Sequence, residues 1–460
     1  MADFAPFAKR MQADRQPKVF IDTFAHYYEQ LVAGETGMIP ESAIRPVKFL
    51  PDVAAFPAKQ VLLGKKMMGK TAVIKLNGGL GTSMGLARAK SLLPVKGSLT
   101  FLDIIARQSM KANVPLLLMN SFATEQDSVR ALQNYNDLNR RTVPLSFVQH
   151  REPKIVQADF SPAVWPKNPT LEWCPPGHGD IYTALITRGA LSALTSQGYE
   201  YVFVSNADNL GAVLDAAILG YMVENKIPFL MEVADRTEMD KKGGHLAQRP
   251  DGQLVLRESA QCPDADAAAF QDVARHKYFN TNNLWIHLPT LRQLMQVRGN
   301  KLGLPMIRNS KTVDPRDSES TAVYQLETAM GSAIAVFQDS QAVRVPRTRF
   351  APVKKTNDLL AVRSDSYVLT AAFHIEPSPE RRYKSLLVEL DPAHFKFVND
   401  LDERFPFGPP SLVNARSFIV EGDFRFGRDV VCKGDVRLIN ESGSRQFVPD
   451  NTVLSGVVVY

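Results

Sequence analysis

Lys75-Leu76-Asn77-Gly78-Gly79-Leu80-Gly81-Thr82-Ser83-Met84-Gly85 follows the apolar run Ala72-Val73-Ile74 and puts four glycines within eight residues, with Lys90 a short way beyond. Glycine lets a ligand approach the main chain with no Cβ in the way. A strand, a glycine loop and a mobile cation together make a phosphate cradle of backbone N–H groups and one charge. Two common glycine motifs are excluded. A P-loop needs Gly-Lys-Ser/Thr, but Lys90-Ser91 follows Ala89. A dinucleotide fingerprint needs a third glycine where this chain has Met84. Neither an ATPase nor a standard dehydrogenase is indicated.

Other loops carry groups that suit the rest of such a ligand. Gln149, in Gln149-His150-Arg151, offers a donor and an acceptor together, matching the imide edge of a uracil; a plain surface glutamine is the alternative. Pro175-Pro176-Gly177-His178-Gly179-Asp180 stiffens its entry with prolines and exposes main chain on either side of His178. His178 reads as a ligand contact and not a zinc ligand, with a structural turn as the alternative. In Ser205-Asn206-Ala207-Asp208-Asn209 a carboxylate leaves a buried strand. Asp208 can hold Mg²⁺, which takes hard oxygen ligands shared with phosphate; a strand-end cap is the competing reading. Asn280-Thr281-Asn282-Asn283 is dense in hydrogen-bonding groups suited to sugar hydroxyls, and Lys242-Gly243-Gly244-His245 with Glu258 can close the same pocket. Arg344, Arg347, Arg349, Lys354 and Lys355 form the densest basic cluster. One or two of these can neutralise a triphosphate while most are expected to be solvated.

The elements needed to position these loops are legible as alternating strands and helices. Strands are predicted at 72–76, 115–119, 145–149, 201–205 and 228–233, and helices at 101–112, 124–138 and 182–194. This alternation predicts an α/β, doubly wound, mostly parallel sheet with ligands beyond the carboxyl ends of its strands. Residues 1–45 are predicted helical and packed on the catalytic domain, with Phe20, Phe24, Tyr27, Tyr28 and Leu31 on one face. In the tail, Glu421-Gly422-Asp423-Phe424 recurs as Lys433-Gly434-Asp435-Val436 twelve residues later, which suggests β-solenoid coils, with a β-hairpin as the alternative. Prolines between 365 and 410 mark the boundary.

The 460 residues suffice for two or three domains, and the net charge of +6 is spread too thinly to call for nucleic acid. Cys174, Cys262 and Cys432 lie far apart and read as free thiols. The start, Met1-Ala2-Asp3-Phe4, has no signal-peptide pattern, and no apolar run approaches the ~18 residues of a membrane span. A cytoplasmic protein with no membrane partner is expected. The final run Val457-Val458-Val459-Tyr460 needs cover, either from the solenoid or from another subunit in a homo-oligomer.

Taken together, the stretch 75–85, Leu118-Met119-Asn120-Ser121-Phe122, Pro176-Gly177-His178-Gly179-Asp180, Phe203-Val204-Ser205-Asn206 with Asp208-Asn209-Leu210-Gly211, Phe279 to Trp285, Gln325-Leu326-Glu327-Thr328-Ala329 and Pro352-Val353-Lys354 resembles the eukaryotic-type UTP–glucose-1-phosphate uridylyltransferase family. The resemblance implies a doubly wound mixed-sheet nucleotidyltransferase domain (GT-A, Rossmann-like) over 46–375 and a left-handed β-helix over 376–460. It implies that Leu76, Asn77, Gly78 and Gly79 contact UTP through the backbone, that Lys90 and Lys354 hold its phosphates, and that Gln149 and Gly177 read the uracil. His178 and Asn206 then contact the sugar phosphate, Gly244, Glu258, Asn280, Thr281 and Asn282 surround the sugar, and Asp208 binds Mg²⁺. Lys354, with Lys90, is the implied catalytic group. The chain departs from the family pattern at Arg88-Ala89, where Gly-Pro is usual.

Overall fold

The computed structural model describes residues 3–140 and 143–460, so Met1 and Ala2 of the N-terminal reading lie outside it. The chain begins with helices α1 (Ala5–Ala13) and α2 (Lys18–Val32). Their apolar faces, including Phe7, Phe20, Phe24 and Tyr28, form a cluster with Ile155, Met306 and Leu326 on the flank of the main body. A third helix, α3 (Ala58–Met67), precedes the first long strand.

A ten-stranded mixed sheet organises the body. Its strands β1 (Thr71–Asn77), β2 (Leu116–Asn120), β3 (Ser146–Val148) and β4 (Tyr201–Asn206) lie in the order β3-β2-β1-β4, all parallel. β1, β2 and β4, buried on both faces along most of their length, are largely apolar runs, which is why sequence alone finds them, while β3 is a half-buried edge. Beyond β4 the sheet changes sense. β5 (Phe229–Asp235) is followed by a hairpin of β6 (His245–Gln248) and β7 (Leu254–Arg257), and then by the long β8 (Tyr278–His287). β8 runs antiparallel to β4 on one side and to β5 on the other. The sheet is therefore mixed and not mostly parallel, because the hairpin returns the chain against its neighbours. Asn280–Asn283, which read as a hydrogen-bonding patch ahead of a strand, lie inside β8. The β5–β8 register shifts there, and Asn282 takes φ 59°. A side hairpin of β9 (Met306–Thr312) and β10 (Ala322–Thr328) is separate from the main sheet, while β11 (Gln341–Arg344) extends it beside β5.

Helix α4 (Phe101–Ala112) begins at a reciprocal cap in which Thr100 and Asp103 each accept from the other's backbone N–H. The predicted helix 124–138 is α5 (Glu125–Leu132) plus a 3₁₀ turn. The predicted 182–194 is broken into α6 (Ile181–Thr187) and α7 (Ala190–Ser196) by Gly189 at φ 77°. Helix α8 (Ala216–Glu224) crosses α3 so closely that a Cβ on Gly64 or Gly220 would stand 1.8 Å from a carbonyl oxygen of the other helix.

The tail comprises β12 (Leu387–Leu390), β13 (Ala415–Glu421), β14 (Phe424–Phe426), β15 (Val431–Ile439), β16 (Gln446–Val448) and β17 (Val453–Val459). β12, β13, β15 and β17 form one parallel ladder, and β14 and β16 a second. Parallel pairing excludes the β-hairpin alternative. The twelve-residue echo is not the structural repeat, since Glu421 pairs with Ile439, 18 residues on, and Ile439 with Val459, 20 residues on. Loop length between rungs, and not the glycine spacing, sets the period. Phe418 and Val436 of the first ladder and Phe424 of the second share one apolar core with Val73 of β1 and Phe101 and Ile105 of α4. Val458 and Tyr460 pack against that core, while Val457 and Val459 stay exposed. No helix among the described residues is long and apolar enough to cross a membrane.

Candidate active site

β1 ends at the site. The Asn77 amide donates to Asn120 Oδ1 (2.7 Å) and Ser128 Oγ (2.8 Å), so its side chain braces the sheet where β1 ends. The Gly78 carbonyl accepts from Ser121 Oγ (3.0 Å), and Gln149 Nε2 lies 3.3 Å from where a Cβ on Gly78 would stand. A side chain at 78 would displace the glutamine. Gly79 has open space on that side, and its carbonyl accepts from the Lys90 N–H (3.1 Å), which folds the loop back over itself. Gly81 and Gly85 turn the loop at φ 66° and 77°, conformations that a side chain disfavours.

The end of β4 lies beside this loop. The Ala207 N–H donates to the Leu76 carbonyl (3.0 Å), and Lys90 Nζ donates to Asp208 Oδ2 at 2.6 Å. The two residues assigned separately to phosphate and to metal are thus an ion pair at the mouth. The Val353 N–H donates to the Asp208 carbonyl (3.1 Å), which anchors the neighbouring Lys354 at the rim. Lys354 itself is exposed, with Nζ 5.8 Å from the centre of the Phe350 ring.

Gly177 takes φ 76°, and a Cβ there would stand 2.5 Å from the Thr328 carbonyl oxygen. The turn is therefore pressed against β10, and next to it His178 Nδ1 accepts the Met330 N–H at 3.0 Å. With Nδ1 used as acceptor, the neutral ring carries its proton on Nε2. Burial lowers the His178 pKa to about 4, so the ring is a neutral donor at ordinary pH.

Leu76, Asn77, Gly78, Gly79, Lys90, Gln149, Gly177, His178, Asn206, Asp208 and Asn282 line one cleft of about 340 Å³. Gly244, Glu258, Asn280, Thr281 and Lys354 do not line it. Four of these five are linked beside it. A Cβ on Gly244 would lie 2.4 Å from Glu258 Oε2, and the Asn280 N–H donates to the Gly244 carbonyl (3.1 Å). Burial raises the Glu258 pKa, opposed by a hydrogen bond from Asn280 and by the Lys354 charge. Asn280 Nδ2 donates to Asn282 Oδ1 (2.8 Å), which joins this group to the cleft. Thr281 faces the other way, its hydroxyl donating to the Glu232 carbonyl (2.7 Å).

The basic cluster differs from its sequence reading. Arg344 pairs with Asp52 and Asp235, Arg347 with Asp240, and Arg349 with Glu232. None of these three is a free charge for a triphosphate, because acidic residues far away in sequence neutralise each one. Arg349 is buried, not solvated. Glu232, fully buried, accepts from Arg349 Nε (2.7 Å) and Nη2 (2.6 Å), Trp285 Nε1 (2.8 Å) and Asn283 Nδ2 (3.0 Å). Sequence reasoning also missed Lys75, which is buried and donates to Ser205 Oγ (2.7 Å) and the Ala212 carbonyl (2.8 Å). The available signal was a lysine inside an otherwise apolar strand.

Among the described residues, no three His, Cys, Asp or Glu side chains converge on a point. Asp208 is the one carboxylate lining the cleft, and its Oδ1 takes no hydrogen bond from the described residues. That donor set fits Mg²⁺, which usually takes one or two carboxylates and completes its shell with phosphate and water.

A profile of the family described as UTP–glucose-1-phosphate uridylyltransferase matches residues 21–433. A protein of that name from Musa acuminata is 40% identical over 415 residues, covering 89% of this chain and 86% of its own. A probable one from Schizosaccharomyces pombe is 39% identical over 405 residues, covering 86% and 78%. A UDP-glucose pyrophosphorylase point mutant from Leishmania major, solved in complex with UDP-glucose, superposes with TM-score 0.92 at 44% identity, covering 100% of both chains. A UDP-glucose phosphorylase structure from Trypanosoma brucei gives TM-score 0.88 at 44% identity over 99% of both.

Proposed function

The chain belongs to the UTP–glucose-1-phosphate uridylyltransferase family and is a nucleotidyltransferase, and from that premise we propose that it transfers uridylyl from UTP to glucose-1-phosphate, forming UDP-glucose and pyrophosphate. The observation that carries the reading is the convergence of the Leu76–Gly79 main chain, Gln149, Gly177 and the Lys90–Asp208 pair in one cleft. This set suits a uracil at one end and a polyphosphate at the other.

Glucose-1-phosphate carries its own nucleophile, an anionic phosphate oxygen. That oxygen attacks the α-phosphorus in line, the α–β bridging P–O bond breaks, and pyrophosphate leaves. No covalent intermediate and no general base are needed. The task is to bring two anions together and to stabilise the charge that moves onto the leaving group. Lys90 and Lys354 are assigned to that charge. Lys354, which forms no salt bridge among the described residues, stands exposed at the rim for that task. Asp208 would hold Mg²⁺, which supplies further neutralisation of the phosphates. Gln149 and the Gly177 main chain read the uracil, and neutral His178 and Asn206 donate to the sugar phosphate. Asn282, with Asn280, Gly244 and Glu258 beside it, binds the glucose hydroxyls. We assign Thr281 to the same region through its main chain.

We further propose that the parallel tail is a left-handed β-helix spanning residues 376–460, that residues 46–375 form the catalytic domain, and that self-association, if it occurs, uses the open edge of β17. The three cysteines are free, which suits a reducing cytoplasm.

The test is pyrophosphate release from UTP, Mg²⁺ and glucose-1-phosphate, with UDP-glucose identified as the second product. Release that needs both substrates is expected. No product with any sugar phosphate would reduce the protein to a UDP-sugar binder.

A further inference from the structure

A second cavity lies on the far side of the strands that end at the cleft. Its floor is Val73 and Lys75 of β1 with Phe203 of β4; Val73 pairs with Phe203 and Lys75 with Ser205 in register, so these side chains share one face of the sheet. Ile105, Gln108 and Ser109 of α4 form one wall, and Ala212 to Leu214 form another. Met68, Ala372 and His374 complete it, and the exposed Lys111 and Ala112 stand at the mouth. The volume is about 260 Å³. A dry engineered cavity of about 150 Å³ holds benzene, so this one has room for a ring and a short side arm.

Lys75 and Lys111 line it, and no Asp or Glu does. Burial lowers the pKa of His374, whose Nδ1 lies 3.8 Å from Glu376, so the ring adds no fixed charge. Lys75 is 2% exposed; its Nζ donates to two oxygens and stands 5.7 Å from the centre of the Phe203 ring, with no carboxylate in hydrogen-bond reach among the described residues. The nearby carboxylates are already engaged: Glu232 by Arg349, and Asp208 by Lys90. A buried ammonium without its own counter-ion is costly. Burial, and then the Arg349 charge, lowers the Lys75 pKa to about 7 against the opposing charges of Glu232 and Asp208.

We propose that this cavity is a binding site for a small aromatic monocarboxylate, its ring against Val73, Ile105 and Phe203 and its carboxylate accepting from the Lys75 ammonium. Occupancy acts on the cleft through Lys75. The two groups that Lys75 holds, Ser205 and Ala212, flank the turn bearing Asn206 and Asp208. An anion that draws Lys75 toward the cavity loosens its hold on that turn, and by linkage a nucleotide in the cleft changes the affinity behind it.

The probe is 3-phenylpropanoate, compared with the neutral 3-phenylpropanamide, each titrated into the full chain by calorimetry. Saturable binding of the acid is expected, roughly tenfold tighter than the amide because its hydrogen bond is charge-assisted. Lys75→Met should abolish the preference for the acid. Ala112→Trp, on an exposed helix position at the mouth, should weaken both probes while leaving Lys75 intact, and it keeps the test available if Lys75→Met fails to fold. Equal affinity for acid and amide, no saturable binding, or unchanged acid binding in Ala112→Trp would overturn the proposal. Because the readout is binding, it stands or falls separately from the uridylyl-transfer reading.

Discussion

The glycine-loop side of the cleft and its amide side differ in what holds their groups in place. On the glycine side, Leu76 to Lys90 is one continuous stretch, closed by its own Lys90 N–H to Gly79 O hydrogen bond and tied to the end of β4 by Lys90 Nζ to Asp208. On the amide side, Asn280 and Asn282 sit on a bulge of β8 whose neighbours Gly244, Glu258 and Glu232 come from three other segments. The first is a local device carrying charge. The second is a tertiary one, built over a buried ion pair, and carries amides with the buried Glu258 carboxyl group beside them. The first should therefore fail by losing catalysis, and the second by losing structure.

Breaking the floor of the amide side should have the largest effect. Glu232→Ala removes the hydrogen-bonded carboxylate from buried Arg349, leaving it the Val213 carbonyl and Asp215 at 3.7 Å, and should cost about 3 kcal/mol of stability, read by denaturant unfolding. A loss no larger than that of an exposed residue would mean the pair is not structural. Next come the two lysines. Lys90→Ala and Lys354→Ala should each lower kcat by about 10²–10³-fold with folding intact. Lys354→Ala should weaken uridine nucleotide binding far less than it slows turnover. Equal losses in kcat and binding would make Lys354 a simple binding residue.

The glycines sharpen the contrast at smaller amplitude. A Cβ on Gly79 meets nothing in the protein, so Gly79→Ala should fold normally and raise KM for UTP by roughly tenfold, since the methyl stands where a ligand would pass. A Cβ on Gly244 overlaps the Glu258 carboxyl group, so Gly244→Ala should lower the melting temperature and impair glucose-1-phosphate use, with KM for UTP little changed. The reverse pattern would exchange the roles of the two sides.

The smallest effect concerns His178. Its native pKa of about 4 lies below the ordinary 6.5, so between these values the unfolded chain binds more protons than the native one. Stability from this group is therefore complete above pH 6.5 and is lost as the pH falls toward 4. His178→Gln should flatten that part of the curve of melting temperature against pH. Parallel curves for the two proteins would show that His178 does not resist protonation.

The same contrast explains what was legible. β1, β2, β4 and β5 are buried on both faces and announce themselves as apolar runs, and the glycine loop after β1 is a contiguous pattern. Gln149 and Asp208 were legible because each follows a predicted strand, and His178 because Pro175, Pro176, Gly177 and Gly179 frame it. β8 was opaque because its cleft-facing half is amide-rich, and a bulge breaks its alternation. The arginines misled because charge pairing is not local. Arg344 finds Asp52, and Arg349 finds Glu232, across long stretches of chain. Lys75 went unread as a functional group for the same reason, since its partners Ser205 and Ala212 come from another strand and the loop after it. In the tail, glycine spacing suggested a repeat, but parallel rungs are set by pairing across loops of unequal length.

The central claim is a single in-line displacement at the α-phosphorus, driven by positioned cations and without a covalent enzyme intermediate. It is tested most directly by the stereochemical course of uridylyl transfer from one diastereomer of UTPαS to glucose-1-phosphate. The account expects a UDP-glucose analogue with inverted configuration at the α-phosphorus. Retention of configuration would require two successive displacements and would contradict it.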